Sequence, residues 1–166
     1  TEETVWHDGM LIAIVGDPEI LIDKTDGCVG YWEMAEYEEP TVDKRIVAWD
    51  AETGRRLWTV EGENINHAVP LSLCARGERV FYLDNRNLHC ISVQSGDSIW
   101  KAPFETEGLF LRAYAPTVVV QDDVILCLKW DRLEAWAVED GRALWNNKGA
   151  MGFGSPGDLF VIDGKA

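Results

Sequence analysis

The chain has 166 residues, 46% apolar and 27% charged, enough to bury a core without a metal or disulfide staple. Its formal net charge of −14, from 29 acidic against 15 basic residues, argues against a nucleic-acid backbone or an anionic membrane surface as partner, since both are bound through Lys and Arg. No apolar run approaches the roughly 18 residues of a membrane span, and the opening TEETVWHDG has neither the basic nor the apolar region of a signal peptide.

In chain order, the first apolar strand, MLIAIV, follows the turn signal Asp8-Gly9. An insertion from Gly16 to Lys44 then separates the second and third strands of the first unit. It holds nine acids, including Glu36, Glu38 and Glu39, together with Tyr31, Trp32 and Tyr37. RIVAWDAETGRRLW follows at 45–58. The second unit divides into PLSLCA, RVFYL, NLHCISV and SIWKAP, separated by the tight-turn runs ARGE, DNR and QSGD. The third reads PTVVVQ, VILCLKW, RLEAWAV and ALWNN, and LFVID after Pro156-Gly157 opens a fourth. No segment sustains a 3.6-residue apolar period, so the class is all-β, with a meander of short antiparallel strands.

The units repeat. IVAWDAETGRRLW, LHCISVQSGDSIW and LEAWAVEDGRALW place Gly54, Gly96 and Gly141 four residues before Trp58, Trp100 and Trp145, in steps of 42 and 45 residues. Such a period fits one four-stranded propeller blade. The expected units are 4–61 with its acidic insertion at 16–44, 68–104, 113–148, and the start of a further blade at 151–166. Ala48, Cys90 and Ala135 share a position where a small residue lets a neighbour approach. The glycines end four-residue turns that call for a positive φ. Each tryptophan is placed to cover a seam between blades, where a buried indole contributes about 150–250 Å², roughly 4–6 kcal/mol before ordering costs.

Ala48-Trp49-Asp50-Ala51-Glu52-Thr53-Gly54-Arg55-Arg56-Leu57-Trp58 resembles the tryptophan-docking motif A-x-D-x-x-T-G-K-x-x-W of the quinoprotein-like, PQQ-repeat β-propellers, with Arg in place of Lys. Later copies depart from it, with Ser92 and Ala137 at the place of Asp50, and Ser95 and Asp140 at that of Thr53. The resemblance spans about three units and implies a partial propeller. The family includes dehydrogenases that use pyrroloquinoline quinone and calcium, and non-catalytic scaffolds such as the outer-membrane assembly lipoprotein BamB; fold does not choose between them. The Cys-Cys pair of the methanol-dehydrogenase-like enzymes does not occur here. The resemblance therefore implies a scaffold that binds a protein or small ligand on a propeller face, is joined by the remaining blades of a parent chain, is periplasmic or secreted, and needs no cofactor. The alternative is a piece of a quinone-dependent dehydrogenase whose catalytic residues lie on other blades.

Other candidate sites are sparse. Trp32 and Tyr37 in the acidic insertion, and Arg112 and Tyr114 in the connection GLFLRAYAP, are the candidate ligand or partner contacts; their plainer reading is a solvated excursion and a loop anchor. Asp23-Lys24-Thr25-Asp26-Gly27 lacks the spacing and distal Glu of an EF-hand. Gly152, Gly154 and Gly157 lack the Lys-Ser/Thr pair of a phosphate loop. His7, His67 and His89 are dispersed, with no nucleophile or carboxylate at a catalytic spacing. Cys28, Cys74, Cys90 and Cys127 form no CxxC pair and are expected to be buried free thiols. The chain starts at Thr and stops in mid-pattern, so it is expected to be part of a longer protein.

Overall fold

The computed structural model describes residues 3–16, 43–69, 72–84, 86–104, 116–129, 132–149 and 159–162. Three four-stranded antiparallel sheets follow one another along the chain. The first consists of β1 (Glu3–His7), β2 (Met10–Val15), β3 (Arg45–Asp50) and β4 (Arg56–Glu61). A helical turn, α1 (Glu63–Asn66), leads into β5 (Cys74–Arg76), β6 (Arg79–Leu83), β7 (Asn87–Ser92) and β8 (Ser98–Pro103). The third sheet holds β9 (Thr117–Gln121), β10 (Val124–Leu128), β11 (Arg132–Ala137) and β12 (Ala143–Lys148). Within each sheet the strands pair in sequence order, the meander expected of a propeller blade. The first strands β1, β5 and β9 lie side by side.

Two apolar clusters hold the blades together. Ile12, Ile14, Ile46, Ala48 and Trp58 of blade one pack on Val80, Tyr82, Ile91 and Val93 of blade two. Phe81, Leu83, Leu88, Cys90 and Phe104 of blade two pack on Val118, Ile125 and Cys127 of blade three. The central strands β6 and β10 are buried almost throughout, because each is covered on both faces; this is why RVFYL and VILCL read as apolar runs rather than as alternation.

β5 is shorter than PLSLCA suggests, beginning only at Cys74. The residues before it are committed elsewhere: Ser72 Oγ donates to Val69 O at 2.6 Å and accepts from Leu83 N at 3.0 Å. Leu73 N donates to the Glu3 carboxylate at 2.9 Å, which ties the innermost strand of blade one to the entry of blade two. A feature the repeat did not announce is a β-bulge at the same place in every blade, between Ala48 and Trp49, Cys90 and Ile91, and Ala135 and Trp136. The extra residue on the outer strand is Leu57, Ile99 or Leu144, each left partly exposed at 36%, 45% and 38%. The bulge re-aims the outer strand, and one residue later it carries the repeated tryptophan.

Candidate functional site

The repeated motif folds into the same hairpin three times. Gly54 N donates to Asp50 O and Asp50 N to Arg55 O; Gly96 N to Ser92 O and Ser92 N to Asp97 O; Gly141 N to Ala137 O and Ala137 N to Arg142 O, all at 2.8–3.0 Å. The glycines sit at φ 70°, 78° and 71°, left-handed values that side chains with a Cβ rarely tolerate. Each turn also bonds the neighbouring turn of its own blade, through Ala51 N to Gly9 O, Val93 N to Glu78 O and Val138 N to Asp123 O. These paired turns form one end of every blade, which we call the turn face.

The motif's polar positions complete the turn. Asp50 Oδ1 accepts from Thr53 N and Thr53 Oγ1 at 2.8 Å and from Glu52 N at 3.2 Å. Those bonds, led by the Thr53 amide, hold its carboxyl below the usual range. Ser92 keeps one such bond, from Gln94 N at 3.2 Å, and Ala137 has no side chain to offer. The residues standing for Thr53 are less degenerate than they read, because each supplies an oxygen to the amide two residues on. Thr53 accepts from Arg55 N at 3.3 Å, Ser95 from Asp97 N at 3.3 Å, and Asp140 from Arg142 N at 3.0 Å.

The tryptophans join one blade to the next. Trp58, 7% exposed, lies directly across from Ala48 on the adjacent strand and donates its indole Nε1–H to Val93 O of blade two at 2.7 Å. Trp100 lies across from Cys90 and donates to Val138 O of blade three at 3.1 Å. The indoles also rest on the receiving blade's glycine. A Cβ at Gly96 would stand 2.7 Å from Val60 and 3.0 Å from Trp58, and one at Gly141 would stand 2.6 Å from Trp100. Each of these glycines thus has two reasons to lack a side chain, the turn and the indole. Trp145, across from Ala135, is 44% exposed.

Further ties between blades come from residues outside the motif. Arg79 Nη1 donates to Val138 O at 2.7 Å and Glu139 O at 2.9 Å, so it shares one carbonyl with Trp100. Arg76 reaches Asp122 at 3.1 Å, and the His7 ring lies 2.7 Å from Gly77 O. Nothing in the spacing of these residues announces the contacts, which need the blades laid side by side.

At the opposite end of blades two and three, the β6–β7 and β10–β11 hairpins carry acid–base pairs at matching positions. The registers Leu83↔Leu88 and Leu128↔Leu133 make Asp84 equivalent to Lys129 and His89 equivalent to Glu134. Asp84 Oδ2 and His89 Nε2 are 2.7 Å apart and both buried. Lys129 and Glu134 are 3.0 Å apart, with the ammonium 4.1 Å over the Phe104 ring. Burial alone would raise Asp84, but hydrogen bonds from His89, the Arg86 and Asn87 amides and the Asn87 side chain outweigh it and hold the carboxyl at about 2. Tyr82 stacks on His89 with ring centroids 4.5 Å apart, and burial raises its phenol well above the ordinary value. His89 does have a carboxylate, five residues away and inside the seam; its nearest groups serve the hairpin.

Cys74, Cys90 and Cys127 are free thiols, the last two buried as expected and Cys74 only half-buried at the start of β5; desolvation pushes Cys90 up to about 11 and raises Cys74 and Cys127 as well. Among the described residues no three His, Cys, Asp or Glu side chains converge as a metal site, and no helix is long and apolar enough to cross a membrane. Trp32, Tyr37, Arg112, Tyr114, Cys28, the Asp23–Gly27 run and the three glycines at 152–157 lie outside the described residues.

The chain is 26% identical over 139 residues to the outer membrane protein assembly factor BamB of Burkholderia pseudomallei, covering 75% of this chain but 35% of that protein. It therefore spans about a third of its curated relative. Among solved structures, BamB from Moraxella catarrhalis aligns with a TM-score of 0.51 at 20% identity, over 64% of this chain and 32% of that one. The computationally designed Ika8 protein aligns at 0.57 and 13% identity, over 92% and 38%. The quinohemoprotein alcohol dehydrogenase ADHIIG of Pseudomonas putida HK5 aligns at 0.53 and 12% identity, over 87% and 20%. These structural likenesses show the propeller fold. The family described as outer membrane protein assembly factor BamB matches residues 5–162, nearly the whole chain, and the chain belongs to that BamB-like family of PQQ-repeat β-propellers.

Proposed function

We propose that the chain is a non-catalytic propeller segment, part of a larger periplasmic or secreted bacterial protein, that binds a protein partner on a propeller face. The observation that carries this reading is what the repeated motif does: Trp58 and Trp100 donate to carbonyls of the next blade and lie on its glycines, so the repeated residues serve the scaffold. Function then falls to the faces. The turn face exposes Asp8, Glu52, Glu78, Asp97, Asp123 and Asp140, which suits a partner surface rich in Lys and Arg. Membership of a family described as an assembly factor supports protein binding over catalysis, and on this reading the chain requires neither quinone nor calcium.

The test is site-specific photo-crosslinking in the full-length parent, with the crosslinker at Glu52 or Asp97. A discrete protein adduct that weakens as salt is raised is the expected result. The competing reading, a piece of a pyrroloquinoline-quinone-dependent dehydrogenase, has the fold likeness to the alcohol dehydrogenases in its favour. Quinone- and calcium-dependent dye reduction by the full-length protein would establish that reading and overturn ours.

A further inference from the structure

We draw no further inference here: the strongest candidate, the buried Asp84–His89 pair stacked on Tyr82 at the β6–β7 end of blade two, belongs to the hairpin already described, its carboxylate being taken up by His89, Asn87 and the Arg86 amide of that same hairpin.

Discussion

Replacing Trp58 by alanine removes the most deeply placed of the three repeated indoles. At 7% exposure the side chain gives up nearly all its buried area, and large-to-small changes of this kind cost about 3–5 kcal/mol. The Val93 carbonyl also loses its 2.7 Å donor, and an unsatisfied buried acceptor accounts for about 1–3 kcal/mol of such a loss. Against a typical domain stability of about 5–15 kcal/mol, Trp58→Ala is a severe lesion. Trp100, half-buried with a 3.1 Å bond, should cost less. Trp145, 44% exposed, should cost about 1 kcal/mol or less. Urea unfolding followed by far-UV circular dichroism gives the three losses, with midpoints compared at constant slope. Equal losses at the three positions, or a Trp58→Ala midpoint indistinguishable from the parent, would refute the assignment of these indoles to seams of graded burial.

Three further outcomes follow from the same geometry. Asp84 is held at about 2 against an unfolded value near ~3.9, so the folded state binds the proton more weakly. Its contribution, about 2 kcal/mol, is complete above the unfolded value and should be lost as pH falls from about 4 toward 2. Chemical denaturation across that interval should show the loss in the parent, and Asp84→Asn, less stable at neutral pH, should lack that part of the acid slope. Ser92→Asp should restore the amide bonds Asp50 makes and raise the unfolding free energy, read from the urea midpoint, by about 0.5–1 kcal/mol, less the repulsion of Asp97, which accepts from Ser95 Oγ at 2.6 Å in the same turn; Ala137→Asp meets Asp140 in the same way, and no gain at either position would show that an Asp there does not stabilise the turn. Cys90 and Cys127, with thiols raised by burial, should resist alkylation at mildly alkaline pH and label fully in denaturant, as read by peptide mass spectrometry; rapid native labelling would contradict their placement in the seam.

The blade repeat was legible because its markers serve needs local to one hairpin: Gly54, Gly96 and Gly141 for the left-handed turn, and the apolar runs of β6 and β10 for burial on both faces. What the glycines do across the seam was not legible. Their contact with Trp58 and Trp100 joins residues in different blades, and a turn glycine reads the same whether or not an indole lies on it. The bulges at Leu57, Ile99 and Leu144 were hidden for a similar reason, since they show only in the register between two strands. Arg79 reads as an ordinary strand residue until Val138 O is placed beside it. Asp84–His89 and Lys129–Glu134 share a hairpin position with the carboxylate and its nitrogen partner exchanged, so no sequence identity links them. Ser95 and Asp140 looked like departures from Thr53, yet they preserve the one atom the turn uses, an acceptor oxygen.

The claim that the repeated residues are spent on joining blades is tested most directly by a double-mutant cycle between Trp58 and Gly96. Gly96→Ala alone suffers the strained φ, a Cβ 2.7 Å from Val60 and 3.0 Å from the indole. In the Trp58→Ala background the collision with the ring is gone and Val60 has room to shift into the space it leaves, so the cost should fall part of the way toward that of the turn alone. A coupling of about 1–3 kcal/mol is therefore expected, in the sense that the double variant is more stable than the sum of the single losses predicts. Strict additivity would contradict the joint.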